Sequence, residues 1–326
     1  MKTIEIIVPC YNESENIRPL YEAIQRVFAE KLPDYSYTLL FVNDGSSDNS
    51  LEVLKSLVES DMRVKYLSFS RNFGHQLAVK AGLDHSFADA VISMDCDLQH
   101  PPTLLPELIA KWEEGYQVVA TLRTYPADTP KKKQKSSQQF YKLLNLLSDI
   151  EIKEGSADFR LLDQSVVEVI RSMRENEPFL RGMVPWVGFR QTYIPYTSAS
   201  RFAGESKYTV KKMLQLAITG VTAFSIKPLY FAVFLGFAFS ALSLLYIPYV
   251  IYAFASGTEI SGWASLIMTI VFFGGLQLII LGIIGIYIGK IFRQTKDRPL
   301  LYYSRREIIN KTYKNEKYNS NIANIF

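Results

Sequence analysis

Two long stretches of this 326-residue chain carry no charge. Neither Leu229–Ala255 nor Ser261–Gly289 contains an Asp, Glu, Lys, Arg or His. Each run exceeds the ~20 residues that cross a hydrocarbon core of ~30 Å. At ~1.5 Å per residue a wholly helical run of this length reaches roughly 40 Å, so tilt or interfacial ends are expected. The lengths argue against a buried helix pair and predict two membrane spans, about 229–255 and 262–289. The connector Ser256–Ile260 lacks Lys and Arg. Lys207, Lys211, Lys212 and Lys227 precede the pair, and Lys290, Arg293, Lys296, Arg298, Arg305 and Arg306 follow it. That asymmetry predicts a multi-pass membrane protein with both termini in the cytoplasm.

Cysteine is scarce as well. Cys10 and Cys96 are the only two, both in the part expected to face the cytoplasm, and free thiols are expected. The chain opens on a strand pattern rather than a charged segment and apolar run, so no signal peptide is expected. The net charge of +4 is modest and comes largely from residues flanking the spans. It suits an anionic lipid surface and gives no reason to expect nucleic acid. No repeat of ~20–50 residues is visible.

Residues 1 to about 225 read as a soluble α/β protein. Apolar strands are expected at Ile4–Val8, Tyr37–Val42, Val64–Phe69, Val91–Met94 and Gln117–Leu122. Helical patterns separate them, as in Leu20, Ile24, Val27 and Phe28, which share one face. Five alternations with crossovers long enough for helices predict a doubly wound, mainly parallel sheet. Ligands of such sheets bind beyond the carboxyl ends of the strands. Five polar clusters fall there: Pro9–Glu13, Asn43-Asp44, Arg71-Asn72, Asp95 with Asp97, and Arg123. Gly155–Arg160 reads as a small-residue turn holding one acid, Asp158. Residues 124–138 read as a basic loop, either a solvated connector or else a lid or a lipid-headgroup contact. Val210–Ile226 reads as an interfacial helix.

The pair Asp95 and Asp97 is the centre of this pattern. At i and i+2 on a strand the two carboxylates share a face, and Gln99 continues the alternation. Hard divalent ions such as Mg²⁺ and Mn²⁺ take oxygen ligands, often two carboxylates completed by substrate phosphates. An isolated Asp-x-Asp can equally be a solvated turn; the four neighbouring clusters tilt the balance toward a metal. His75 and His100 lie near the same rim and read as structural.

The ordered set Val8–Glu13, Val42–Asp48, Ser70–Gly74, Asp95–Gln99 and Gly155–Arg160 resembles the family 2 inverting glycosyltransferases of the GT-A fold. Arg201-x-x-Gly-x-Ser-Lys-Tyr208, followed by two spans, is similar to the polyprenyl-phosphate group, which includes bactoprenol glucosyltransferases and dolichol-phosphate mannose synthases. The resemblance implies a GT-A catalytic domain over 1–205 and juxtamembrane amphipathic helices over 206–227. Two transmembrane helices over 228–289 and a basic tail over 290–326 would follow. It assigns Pro9, Tyr11, Glu13, Asp44, Asp95, Cys96 and Arg123 to the nucleotide sugar, and Asp95, Asp97 and Gln99 to the metal. Arg201 and Lys207 would hold phosphates, and Asp97 and Asp158 would be catalytic. Cys10 stands where Thr, Met or Val is more usual, and Cys96 where Ala is; both are small enough to leave such a site intact.

The chemistry supports these roles. Breaking a sugar–diphosphate bond develops negative charge on the leaving group, which a metal neutralises. A lipid phosphate is already anionic, its second pKa being about 6, so it hardly needs a base. Asp158 is therefore expected to orient the acceptor or to take a last proton, a base role ranked below the metal role of Asp97. The expected reaction is transfer of glucose from UDP-glucose to undecaprenyl phosphate with inversion. GlcNAc, mannose and aminosugar donors are the alternatives. A processive polysaccharide synthase is disfavoured because no Gln-x-x-Arg-Trp block is present. A translocase or scaffold is disfavoured because every acid is retained. Gly236, Gly274, Gly275, Gly282 and Gly285 permit close helix packing, so a homo-oligomer, a tetramer among the options, is expected.

Overall fold

The first strand is almost entirely apolar. Burial from Ile4 through Cys10 is what a parallel strand covered on both faces requires. The computed structural model describes residues 1–124, 138–139, 141–142, 145–197, 219–257, 262–296, 298 and 301–307. The strand β1 (Thr3–Cys10) is followed by α1 (Ser14–Lys31), β2 (Ser36–Asn43), α2 (Ser50–Ser60), β3 (Val64–Phe69) and α3 (His75–His85). Then come β4 (Ala90–Ser93), α4 (Leu105–Glu113) and β5 (Val118–Thr124). The five expected strands are thus all present.

Three further strands are not apparent from the pattern of the sequence. β6 (Ser156–Asp163) leads into α5 (Gln164–Ser172) and α6 (Leu180–Trp186), and β7 (Gln191–Thr197) follows. After α7 (Lys227–Ala255) and α8 (Trp263–Thr295), the chain adds β8 (Tyr303–Glu307). All eight form one sheet in the order β7-β5-β6-β4-β1-β2-β3-β8. β1 pairs in parallel with β2 and β4, β2 with β3, and β5 with β7. β6 runs antiparallel between β4 and β5, and β8 runs antiparallel on the edge strand β3.

The expected turn at Gly155–Arg160 is therefore corrected to a strand. Its polar residues hid it: Asp158 and Arg160 are buried but satisfy each other, with Arg160 Nη2 donating to Asp158 Oδ1 at 2.9 Å. The reversal matters for function. Because β6 is antiparallel, its first residues lie at the carboxyl end of β4, and Ser93 Oγ donates to the Asp158 carbonyl at 2.6 Å.

The chain divides into two compact units, one of which holds the sheet and its helices. Its main core joins Ile6, Val8 and Phe41 of the central strands to Ile17, Leu20 and Leu108 of the covering helices. Each such side chain contributes ~1.5–3 kcal/mol on burial. The second unit holds α7 and α8. Phe239 of α7 meets Phe272 and Phe273 of α8 edge to face, at centroid distances of 6.0 and 5.3 Å. Lys227, at the start of α7, pairs with Asp149 at 3.2 Å and donates to the Ser148 carbonyl at 2.6 Å. Among the described residues one helix, Leu266–Thr295, is long and apolar enough to cross a membrane, with a mean hydropathy of 2.5. A shorter apolar helix covers Lys227–Leu242. Most of the expected interfacial helix at Val210–Ile226 lies outside the described residues.

Candidate active site

The loops after β1 and β2 are stitched together mainly by side chains bonded to neighbouring backbone. Asn12, at φ 56°, takes the left-handed turn that Asn tolerates better than most residues. Its Oδ1 accepts the Ser47 N–H at 2.8 Å, and its own N–H donates to Ser46 Oγ at 3.0 Å. Asn43 Oδ1 accepts the Ser46 N–H at 3.1 Å, while Asn43 Nδ2 donates to Ser68 Oγ at 3.1 Å. Asp48 accepts N–H groups from Ser14 and Ser50. Strand ends of β1, β2 and β3 are so fixed to one another.

Asp44 extends this lacing to the loop after β3. Only 3% exposed, it accepts the Phe73 N–H on Oδ1 at 2.6 Å and the Gly74 N–H on Oδ2 at 2.9 Å. Burial raises its carboxyl above the ordinary Asp range, against the lowering pull of those two amides. The neighbouring Gly45, at φ 65°, lets the two loops touch: a Cβ there would lie 2.3 Å from the Arg71 carbonyl carbon. No side chain fits that approach.

Beyond β4 the contacts are charged. β4 ends at Ser93, so Asp95, Asp97 and Gln99 do not continue a strand alternation as the sequence suggests. They occupy a turn in which Leu98 has φ 60°, a conformation rare outside glycine. Asp97 is buried, and its Oδ1 accepts the Gln99 N–H at 3.1 Å. Asp95 lies between two histidines. His75 Nε2 is 2.7 Å from Oδ1, and His100 Nε2 is 3.6 Å from Oδ2. His100 Nδ1 accepts the Asp95 N–H at 2.9 Å, which assigns the His100 proton to Nε2, facing the carboxylate. Burial opposes the Asp95 charge, but His100 and His75 outweigh it and hold the carboxyl well below its usual range. His75, which burial alone would lower, is pushed up to about 9 by Asp95 and Asp158.

Asp158 closes the arrangement. Arg181 approaches it with Nη2 at 2.9 Å from Oδ2, Gln76 Nε2 donates to the same oxygen at 3.2 Å, and Arg160 donates to Oδ1. His75 Nδ1 lies 3.9 Å from Asp158 Oδ2, so one imidazole stands between the two acids. Burial disfavours the Asp158 charge, and Arg181, Arg160 and His75 overcome it, leaving the carboxyl far below the ordinary range. The sheet thus brings Asp95, Asp97 and Asp158 to one edge.

Other expected residues fare differently. Tyr11 is exposed on the rim at 39%, and Arg123 is exposed at the end of β5. The Arg123 N–H donates to the Gly155 carbonyl at 2.8 Å; Gly155, at φ 75°, leaves 2.6 Å between a would-be Cβ and the Arg123 oxygen. Pro9 is buried in β1 opposite Val42, and Glu13 precedes α1, its carbonyl accepting the Asn16 N–H. The Cys96 side chain sits in the apolar core, where burial pushes its thiol well up. Cys10 is a free, buried thiol as well, and burial raises it too. Arg201 and Lys207 lie outside the described residues. Both histidines, expected to be structural, touch Asp95, and Arg181 and Gln76 were not among the expected residues. Asp158 and Arg160, two apart on a strand, share a face and carry a readable signal. Arg181 and His75 reach Asp158 across 23 and 83 positions and carry none.

Among the described residues no group of three or more His, Cys, Asp and Glu is disposed to hold a metal unaided. Two carboxylates at the lip of the sheet, Asp95 partly open and Asp97 beside it, fit a Mg²⁺- or Mn²⁺-type ion completed by phosphate oxygens.

Residues 5–171 match glycosyl transferase family 2, and the chain belongs to that family, with its mixed α/β sheet of the GT-A type. It is 44% identical over 309 residues to the uncharacterized glycosyltransferase YkcC of Bacillus subtilis, covering 94% of this chain and 93% of that protein. It is 40% identical over 297 residues to a prophage-derived bactoprenol glucosyl transferase of Shigella flexneri, covering 91% and 96%. Among solved structures, glucosyl-3-phosphoglycerate synthase from Mycobacterium tuberculosis, in complex with Mn²⁺, UDP and glucosyl-3-phosphoglycerate, superposes with a TM-score of 0.45. That match has 14% identity and covers 68% of this chain and 78% of the other.

Proposed function

We propose that this protein transfers glucose from UDP-glucose to a polyprenyl phosphate such as undecaprenyl phosphate, with inversion, at the cytoplasmic face of a bacterial membrane. The observation that carries this reading is the meeting of Asp95, Asp97 and Asp158 at the carboxyl edge of the sheet. Its support on the acceptor comes from a relative named as a bactoprenol glucosyl transferase and similar over nearly its whole length. The apolar helices α7 and α8 fit a lipid substrate, and we read them as two spans with the catalytic unit (1–205), the juxtamembrane segment (206–227) and the tail (290–326) on the cytoplasmic side.

The laced loops of β1, β2 and β3 present Tyr11, Glu13 and Asp44 for the nucleotide, with Arg123 at the phosphates. Each Asp44 oxygen, after accepting one backbone N–H, retains a second lone pair for a donor N–H of a base. A divalent ion on Asp95 and Asp97, with Gln99 nearby, would supply positive charge to the departing diphosphate. Asp158 orients rather than deprotonates, because a carboxyl held so low is a weak base. Arg201 and Lys207 would add cationic charge for the phosphates, and self-association through the glycine-bearing helices is part of the same proposal.

Labelled UDP-glucose, UDP-GlcNAc and GDP-mannose, each offered with undecaprenyl phosphate and Mn²⁺ or Mg²⁺ in detergent, test the reading. Labelled lipid from UDP-glucose is expected. Labelled lipid from another donor alone replaces the sugar, and none from any donor, with folded protein, removes the reaction.

A further inference from the structure

Asp158 is held in a manner unsuited to a base. Its two oxygens accept from Arg160 Nη2 at 2.9 Å, from Arg181 Nε at 3.2 and 3.3 Å, from Arg181 Nη2 at 2.9 Å and from Gln76 Nε2 at 3.2 Å. Two permanently charged guanidiniums share this one carboxylate. The two arginines differ in access. Arg160 is 4% exposed and also donates to the carbonyls of Ala157 and Leu180, inside the fold. Arg181 is 26% exposed and stands at the open side. Its orientation is fixed at three points: the side-on contact with Asp158, the helix α6 that carries it, and Gln76, whose Oε1 accepts the Leu180 N–H at 3.0 Å.

We propose that Arg181 binds the phosphate of the acceptor, and that Asp158 is the positioning residue that holds its guanidinium in place. The inference rests on the reading of the protein as a polyprenyl-phosphate glycosyltransferase. Arginine suits the task because its planar fork matches phosphate oxygens, and a guanidinium already immobilised loses little freedom on binding. The acceptor is favoured over the donor by position. Asp95 and Asp97 take the diphosphate side, and His75 stands between Asp95 and Asp158. Inversion requires the incoming phosphate oxygen to approach from the side away from that leaving group.

The test uses the full chain in detergent with farnesyl phosphate as a soluble acceptor probe and UDP with Mn²⁺ as the donor probe, both followed by calorimetry. Arg181→Gln is expected to weaken farnesyl phosphate binding on the order of 10- to 100-fold and to leave UDP binding unchanged, with partial recovery in Arg181→Lys. Asp158→Asn is expected to raise the KM for polyprenyl phosphate by a larger factor than it lowers kcat. The double variant should bind farnesyl phosphate no more weakly than Arg181→Gln alone, since the two act as one unit. Loss of kcat at unchanged acceptor KM in Asp158→Asn would make it a base and overturn the proposal. So would weakened UDP binding, or unchanged farnesyl phosphate binding, in Arg181→Gln. Should Asp158→Asn fail to fold, with Arg160 left buried and unpaired, the Arg181 variants decide alone. If the wild type transfers no sugar yet binds farnesyl phosphate through Arg181, the inference stands and the reaction assignment falls. A folded wild type that binds no farnesyl phosphate overturns the inference itself.

Discussion

Around β1, β2 and β3 the strand ends are tied by side chains bonded to backbone N–H groups, whereas around β4 and β6 they are tied by charged side chains bonded to one another. In the first region Asn12, Asn43, Ser46 and Asp44 spend their polar atoms on neighbouring backbone, which sets loop shape. In the second, Asp95, Asp158, His75, Arg160 and Arg181 spend theirs on one another. Rigid loops, their carboxylates already engaged by backbone N–H groups, suit recognition of a nucleoside, which is uncharged at its base and ribose. Balanced charges suit a site where a diphosphate leaves and a phosphate attacks, because fixed dipoles and ions need no rearrangement as charge moves.

The largest effect is expected at the charged region. Asp97→Ala should lower turnover on the order of 10²–10³-fold or more with the thermal unfolding profile retained, measured as glucose transfer to polyprenyl phosphate. Retained turnover would erase the difference between the two regions. Gly45→Ala should act on the first region through shape: a Cβ 2.3 Å from the Arg71 carbonyl carbon, at φ 65°, forces the two loops apart. A loss of about 2–4 kcal/mol is expected from denaturant unfolding, with a raised KM for UDP-glucose. Asp44→Asn keeps the size but offers only one oxygen to the Phe73 and Gly74 amides. It should cost about 1–3 kcal/mol and raise the donor KM while the acceptor KM stays put.

The smallest effect is expected at the opposite edge of the sheet. Asp163 ends β6 there, caps α5 by accepting the Ser165 N–H at 2.9 Å, and accepts the Trp112 indole N–H at 2.8 Å. Asp163→Ala should lower stability by about 1 kcal/mol and leave turnover unchanged. Asp158 and Asp163 lie on one strand, Asp158 toward the carboxyl end of β4 and Asp163 beside its first residue.

The parts of this design that local sequence encodes were readable from it. Alternating strand and helix patterns marked β1 through β5, and the Asp95–Asp97 pair at the end of β4 pointed to the site. β6 escaped because periodicity treats Asp158 and Arg160 as surface residues, whereas in the fold they neutralise each other in a buried strand. β8 escaped because its Arg305 and Arg306 read as tail charge, yet their backbone pairs with Leu67 and Ser68. His75 and Arg181 gain their roles only from tertiary approach, which spacing along the chain does not report. The strand alternation invoked for Asp95, Asp97 and Gln99 does not exist: a left-handed residue, Leu98, brings that segment round in a turn.

UDP release from UDP-glucose, followed with and without undecaprenyl phosphate and before and after chelation of divalent metal, tests the central claim most directly. Release that requires both lipid phosphate and metal is the expected result. Release that proceeds equally without the lipid, or survives complete chelation, would contradict the account of two anions meeting across Asp95, Asp97 and Asp158.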